Sequence, residues 1–146
     1  MARVQAEPFD PNAELAAFAR GRENVGALAS FVGLVRGGDT QALHLDHYPG
    51  FTEREIARIE EAAVDRFGLM DALVIHRHGT MRPGEPIVLA AALAAHRKPA
   101  LLAVDFLMDY LKTDAPFWKR ETSAAGSTWI EPTDADRAAR QAWEKD

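Results

Sequence analysis

Apolar residues recur along the chain with two different periods, and these periods predict a mixture of strands and helices. Apolar, β-branched or alternating runs predict strands at residues 25–35, 42–48, 72–76, 87–95, 117–122 and 127–131. Helices are predicted from Asp10-Pro11 to Gly21, from the capping-box pattern at 52–55 to Gly68, from Pro99 to Pro116, and at 134–145. Because the two element types are mixed and several strands are joined by short turns, we expect an α+β fold rather than a doubly wound sheet.

Two of the predicted helices have a recognisable apolar side. In the second helix Ile56, Ile59, Ala63 and Phe67 share one face. In the third helix apolar residues recur every four positions, at Leu102, Phe106 and Tyr110. The near-continuous apolar run 87–95 is typical of a central strand, and a turn at 81–84 precedes it.

Composition limits the class of protein. The 146 residues, 47% of them hydrophobic, fit a single globular domain over 1–146. The absence of cysteine excludes a disulfide scaffold, a cysteine-ligated metal and a thiol nucleophile or persulfide carrier. A net charge of −5 argues against general binding to nucleic acid or to anionic membranes.

Neither a membrane segment nor a targeting segment is expected. The longest apolar run, 87–95, is too short to span a bilayer. The first residues lack the basic and then apolar pattern of a signal peptide. We therefore expect the cytoplasm as the compartment.

Two basic positions stand where strands end. Arg36 precedes Gly37-Gly38, and it is either a solvated arginine or a clamp for an anion that approaches the glycine backbone. His96, Arg97 and Lys98 follow the most apolar strand and precede a helix. This triplet is either solvated surface or an anion site supported by free backbone N–H groups.

A third basic cluster surrounds the aromatic pair Phe117-Trp118. Lys112 lies near a helix C-terminus, where a cation is favourable without any further role. Lys119 and Arg120 follow the aromatic pair and could form part of an exposed strand. Alternatively, apolar neighbours desolvate a lysine here and lower its pKa, which would make it an acid, a base or a nucleophile. Together with the His96 triplet, these residues indicate a cationic pocket in an acidic protein.

The remaining histidines do not predict a metal site. His44 and His47 point to opposite faces of their strand. His76 and His78 share a face, but no nearby carboxylate completes a ligand set. No phosphate-binding loop, dinucleotide fingerprint or nucleophile elbow is present, and we expect neither a metal nor a cofactor.

Six stretches in the order of the chain carry a family resemblance: GALASFVGLVR, LDHYPGFT, VIHRHG, PGE, AHR and FLMDYLKTDAPFWKRE. Together they resemble the MoaE family, the large catalytic subunits of molybdopterin synthases. The resemblance covers about residues 25–131, whereas 132–146 are expected to form a C-terminal helix or tail.

The resemblance implies an α/β hammerhead-type fold with an antiparallel or mixed sheet and additional β-hairpins. It implies conversion of cyclic pyranopterin monophosphate into the dithiolene of molybdopterin. The sulfur would come from a C-terminal Gly-Gly thiocarboxylate on a small ubiquitin-like subunit, resembling MoaD. The large subunit would form a homodimer at the centre of a heterotetramer, with no resident cofactor.

The resemblance also assigns roles to individual positions. It implies that Lys112 and Lys119 are catalytic. Substrate-binding roles follow for five further residues, which are Arg36, His96, Arg97, Arg120 and Glu121.

Two other functions remain as alternatives. The chain could be a non-catalytic docking scaffold for a ubiquitin-like partner, although a scaffold has no need for both lysines. It could also bind RNA or nucleotides through the segment around Trp118, against which the net charge of −5 counts.

Overall fold

The computed structural model describes residues 2–144, and within this range the chain forms eight strands and four helices. The strands are β1 Ala2–Gln5, β2 Ala27–Leu34, β3 Thr40–His47, β4 Asp71–Arg77, β5 Gly79–Met81, β6 Pro86–Ala94, β7 Phe117–Ser123 and β8 Gly126–Ile130. The helices are α1 Pro11–Ala19, α2 Phe51–Phe67, α3 Arg97–Asp114 and α4 Asp134–Ala142. Every predicted helix and strand is confirmed, and the two short strands β1 and β5 are additional.

The strands form two sheets. The first has the order β1-β4-β6-β2, with β1 parallel to β4 and the other pairs antiparallel. The second has the order β5-β3-β7-β8 and is antiparallel throughout, with β7 and β8 joined as a hairpin. One mixed and one antiparallel sheet with four helices confirm the predicted α+β class. The apolar strand β6 lies inside its sheet, as its sequence predicts.

The main core lies between the mixed sheet and the helices α2 and α3. Ile56, Ile59 and Ala63 of α2 are buried there, which confirms the predicted face. On α3 the prediction is partly wrong, because Phe106 is buried while Leu102 is 45% exposed. The buried face of α3 also uses the small residues Ala100 and Ala103, whose side chains let the helix approach the sheet closely.

Helix α2 begins earlier than its predicted capping box. Gly50 is the N-cap with φ 86°, and its N–H donates to the Glu53 carboxylate at 2.9 Å. Thr52 is instead fully buried inside the first turn. Its hydroxyl accepts from the Tyr48 N–H at 2.9 Å and donates to the Pro116 carbonyl at 3.2 Å. The threonine therefore ties the start of α2 to the connection between α3 and β7.

Helix α3 also begins earlier than predicted, at Arg97 with His96 as its N-cap. Pro99 is accommodated in the first turn, where a backbone N–H has no partner inside the helix. The helix ends at Asp114, and its C-cap Ala115 is extended directly before Pro116, as expected.

Helix α4 is fastened to the C-terminal half of α3. Arg140 forms a two-pronged ion pair with Asp114, with N–O distances of 2.8 and 3.1 Å. The Trp143 indole N–H donates to the Asp109 carboxylate at 2.7 Å. Burial opposes ionisation of Asp114, but the hydrogen bonds from Arg140 and Thr113 outweigh it and lower the Asp114 pKa. None of the helices within residues 2–144 is long and apolar enough to cross a membrane.

Candidate active site

Three of the predicted cationic residues line one cavity of about 400 Å³ beside strand β2. They are Arg36, Lys112 and Lys119, and His76 joins them. Most of the remaining wall is apolar, and it includes Phe31, Ile87 and Met108. Two further surface clefts lie against α2, but neither contains any of the predicted site residues.

The fold assembles the cavity from four separate parts of the chain. Arg36 follows β2, and His76 lies in β4 of the same sheet. Lys112 is in the last turn of α3, and Lys119 is the third residue of β7. Only residues 115 and 116 separate α3 from β7, so this short connection brings both lysines to one place. The hydrogen bond from Thr52 to Pro116 holds the connection.

Lys119 stands in an apolar environment. It pairs in register with Leu45 on one side and Ile130 on the other, and side chains directly opposite in an antiparallel sheet share a face. Burial and the nearby charge of Lys112 lower the Lys119 pKa to about 8, with Asp136 acting in the opposite direction. The lowered Lys119 pKa agrees with the alternative in which apolar neighbours desolvate a lysine, and a catalytic role for Lys119 stays a prediction.

Neither lysine is neutralised by a direct contact. Within residues 2–144, the ammonium groups of Lys112 and Lys119 make no hydrogen bond and no ion pair. Two unpaired cations in a mostly apolar cavity repel each other and attract an anion. The cavity is therefore suited to a phosphate or a carboxylate-like group.

The carboxylate of Asp136 in α4 interacts electrostatically with the ammonium groups of Lys112 and Lys119. Its own pKa is lowered chiefly by the hydrogen bond from the Thr133 N–H, and also by the charges of Lys112 and Lys119. The Thr133 contacts form a capping box that fixes the start of α4. The sequence predicted a C-terminal helix or tail over 132–146 but not this role of Asp136, because the interaction depends on how α4 packs.

His76 is the cavity residue that sequence reasoning set aside. Its ring is buried, stacks on Phe117 with centroids 4.0 Å apart, and makes a 2.9 Å hydrogen bond from Nδ1 to the Arg77 carbonyl. Burial is the main reason that the His76 pKa falls to about 3, and the charges of Lys119 and Lys112 add to it. The available signal in the sequence was a histidine in the predicted strand 72–76, whose four other residues are apolar.

Arg120 and Glu121 do not line the cavity. Arg120 faces the opposite side of β7 from Lys119, because successive side chains of a strand alternate. Its guanidinium lies 5.6 Å from the centroid of the Trp129 ring on that outer face. Glu121 shares the face of Lys119 but lies about 6.6 Å further along the strand, at 3.3 Å per residue.

His96 and Arg97 lie far from the cavity within one chain. They stand at the start of α3, whereas Lys112 is in its last turn. The fifteen residues from Arg97 to Lys112 correspond to about 22 Å along the helix axis. Both basic side chains are exposed, and within the described part of the chain neither makes a hydrogen bond or an ion pair.

The donor set of the cavity fits anion chemistry. Ammonium and guanidinium groups bind phosphate and carboxylate oxygens and stabilise negative charge that develops during a reaction. Across residues 2–144, no group of three or more histidine, aspartate or glutamate side chains is placed to hold a metal ion.

The sequence and the fold of the chain are similar to those of known proteins. The model of the MoaE protein family matches residues 4–114. A molybdopterin synthase catalytic subunit from Cereibacter sphaeroides is 53% identical over 142 residues, which are 96% of this chain and 97% of the relative. The solved structure of a MoaE protein from Burkholderia ambifaria is 42% identical, with a TM-score of 0.86 over 100% of this chain and 99% of that one. A complex of subunits 1 and 2 of molybdopterin-converting factor from Helicobacter pylori shares the fold, at 23% identity and a TM-score of 0.76, over 88% of this chain and 89% of that one.

Proposed function

The chain belongs to the MoaE family of molybdopterin synthase catalytic subunits, and we propose that its cationic cavity is where sulfur is transferred to the pterin. The activity is that of a sulfurtransferase in molybdenum cofactor biosynthesis. The substrate that we propose is cyclic pyranopterin monophosphate, and the product is the molybdopterin dithiolene. The observation that carries the proposal is the pair Lys112 and Lys119, which line one mostly apolar cavity and make no direct ion pair within residues 2–144.

The sulfur must come from outside the chain. With no cysteine, this subunit has no thiol on which to carry sulfur. We propose that a small ubiquitin-like subunit delivers it as a C-terminal thiocarboxylate, which is an anion and is attracted to the cavity. The Helicobacter pylori complex of subunits 1 and 2 supports a two-subunit enzyme.

The two lysines are proposed to have different roles. With a pKa of about 8, Lys119 is mostly protonated at neutral pH, and its ammonium stabilises the negative charge that develops as sulfur adds to the substrate. Lys112, at the helix end, is proposed to activate the thiocarboxylate or to move protons during the addition. Arg36 completes the anion site at the end of β2.

His96 and Arg97 are proposed to bind substrate in the cavity of a second copy of the chain. Within one chain about 22 Å of helix separates them from Lys112. A homodimer that brings the start of one α3 to the cavity of its partner would place both groups at one substrate. Arg120 and Glu121 are proposed to contact substrate or the small subunit outside the cavity.

A reconstituted reaction tests the central proposal. This chain, the thiocarboxylated small subunit and cyclic pyranopterin monophosphate are combined, and molybdopterin is detected as its fluorescent oxidation product. We expect product with the wild-type chain and a loss of about 100-fold or more with Lys112→Ala. Arg137→Ala, which removes an exposed cation of α4, is the matched control and should retain activity.

The same reaction separates the alternatives. A stable complex with the small subunit but no product would favour a docking scaffold. Binding to RNA with a steep dependence on salt would favour a nucleic-acid protein. Full activity of Lys112→Ala would contradict the role assigned to that lysine.

Mixed dimers test the contribution of the second copy. Lys112→Ala and Arg97→Ala chains carrying different tags are co-expressed, and the mixed dimers are isolated. If each site combines Lys112 of one chain with Arg97 of the other, one of the two sites in a mixed dimer keeps both residues. We expect the mixed dimer to be much more active than either variant alone, and equal inactivity would place the whole site within one chain.

A further inference from the structure

The His76 ring supplies a hydrogen-bond acceptor to a cavity in which every charged side chain is a donor. Arg36, Lys112 and Lys119 have only donor groups. Among the side chains that line the cavity, only that of His76 carries a nitrogen or oxygen that can accept. The role of this acceptor is separate from the anion binding described above.

The hydrogen bond of the ring determines its tautomer. Nδ1 lies 2.9 Å from the Arg77 carbonyl oxygen, and a carbonyl can only accept. Nδ1 must therefore carry the proton, and Nε2 must carry the lone pair. No described residue donates a hydrogen bond to Nε2.

The ring is also held in place and held neutral. It stacks on Phe117 at 4.0 Å with an interplanar angle of 21°, and its strand is paired on both sides. Burial and the charges of Lys119, Lys112 and His78 hold the His76 pKa near 3, so the ring is neutral and the lone pair is available at neutral pH. The hydrogen bond to Arg77 acts in the opposite direction but does not restore an ordinary pKa.

We propose that Nε2 of His76 accepts a hydrogen bond from an N–H or O–H donor of the pterin and so determines which molecule the cavity accepts and how it lies there. The inference rests on the proposed function, since it names the recognition of that substrate at the same cavity. Pterin rings carry N–H and amino donors beside carbonyl oxygens, and the substrate adds a phosphate. A cationic cavity alone would bind any anion, whereas a fixed acceptor selects an anion that also has a donor edge.

The acceptor also distinguishes the two anions of the reaction. A thiocarboxylate has no donor, and its lone pairs are repelled by the lone pair of Nε2. The sulfur donor is thereby directed to the lysine side of the cavity and the pterin edge to the histidine side. His76 acts in this account as a specificity-determining residue, and it forms no bond with sulfur.

Two substitutions at His76 test the inference in the reconstituted reaction. His76→Phe keeps a flat ring against Phe117 but removes the acceptor, and we expect KM for the pterin to rise about 10-fold or more with little change in kcat. His76→Gln places an amide oxygen near the position of Nε2, and we expect it to keep KM within about 3-fold of wild type. His44→Phe is the matched control, because His44 lies on the outer face of the antiparallel sheet, and it should leave KM for the pterin unchanged.

Inhibition by sulfate separates recognition from a general loss of the cavity. Sulfate is an anion without a donor, so its inhibition constant should be the same in wild type and His76→Phe. A parallel rise in both constants would overturn the inference, because it would show that the whole cavity had changed. Thermal melting of each variant establishes that it is folded.

The failure of this inference can be told apart from failure of the proposed function. An inactive wild-type reaction would contradict the proposed function itself. An active wild type together with an unchanged KM in His76→Phe would overturn only the role of His76. A KM raised 10-fold or more in His76→Gln would overturn it as well, including where His76→Phe fails to fold.

Discussion

The two ends of helix α3 carry basic residues in opposite environments. At its start, His96, Arg97 and Lys98 are exposed and make no polar side-chain contacts within the described chain. At its end, Lys112 lines a mostly apolar cavity with Lys119. The pKa of Lys119 is lowered to about 8 by burial and by Lys112, whereas no comparable burial surrounds the start of the helix.

The two ends of α3 differ in how strongly water screens their positive charges. Exposed cations are screened by water and contribute little on their own. Desolvated cations without partners are unfavourable to the folded protein and bind anions strongly for that reason. We therefore propose that the reaction takes place at the end of α3, whereas the start of the helix is exposed to a ligand or a second chain.

Replacement of Lys119 should give the largest effect and separates stability from function. In Lys119→Met we expect activity to fall about 100- to 1,000-fold, because the stabilising charge is lost. The free energy of unfolding should rise by about 1–3 kcal/mol, because a buried unpaired charge is replaced by an apolar side chain. Product fluorescence and denaturant unfolding at neutral pH measure the two effects.

Arg97→Met provides the matched change at the start of α3. Since Arg97 is exposed, its replacement should change the free energy of unfolding by no more than about 0.5 kcal/mol. If Lys119→Met lowered the free energy of unfolding, the charge of Lys119 would not be unfavourably desolvated. If Arg97→Met changed that free energy as much as Lys119→Met, the two ends of α3 would not differ in desolvation.

Detaching α4 from α3 should give the next largest loss of stability and activity. This loss should arise only at the C-terminal end of α3. Arg140→Met leaves the partly buried Asp114 carboxylate without its partner, and we expect a loss of about 1–2 kcal/mol in unfolding free energy. Activity should fall several-fold, because Asp136 moves away from the two lysines. Arg137→Met breaks only an exposed ion pair and should change neither stability nor activity measurably. Equal effects of the two substitutions would show that α4 does not support the site.

The pH dependence of the reaction gives a smaller and more specific effect. Since the Lys119 pKa is lowered from 10.5 to about 8, the ammonium form is lost near pH 8. If that form stabilises charge, kcat/KM should fall as the pH rises through about 8, by up to about 10-fold per unit. Lys119→Arg should move this fall to higher pH, because a guanidinium keeps its proton. A rise in activity through pH 8 would instead identify Lys119 as a base.

Stability in acid tests whether His76 is buried in its neutral form. His76 has a folded pKa of about 3 against 6.5 when free, so between these values the unfolded chain binds a proton that the folded chain does not. The free energy of unfolding must therefore fall as the pH drops from 6.5 towards 3, by up to about 1.4 kcal/mol per unit for this residue. Wild type should lose stability more steeply than His76→Gln in this range, and identical slopes would contradict the burial of a neutral His76.

Local pattern was sufficient for most of the fold and for part of the site. The face of α2 at Ile56 and Ile59 and the end of α3 before Pro116 follow from periodicity and from proline geometry. The start of α2 does not, because Gly50 and Glu53 form the cap while Thr52 is used for a contact with Pro116. Leu102 fits the apolar repeat of α3 yet lies in solvent, since the sheet covers a neighbouring face of the helix.

The sequence by itself determined the order of all elements except β1 and β5, the lack of a thiol, and the presence of Arg36, Lys112 and Lys119 in motifs that resemble a known family. Only the tertiary structure decided that these three residues share a cavity with His76, and that His96 and Arg97 do not reach it within one chain. The physical reason is that desolvation and charge coupling depend on distances between parts of the chain that are remote in sequence. The packing of β4, α3 and β7 determines those distances, and they cannot be predicted from local sequence patterns.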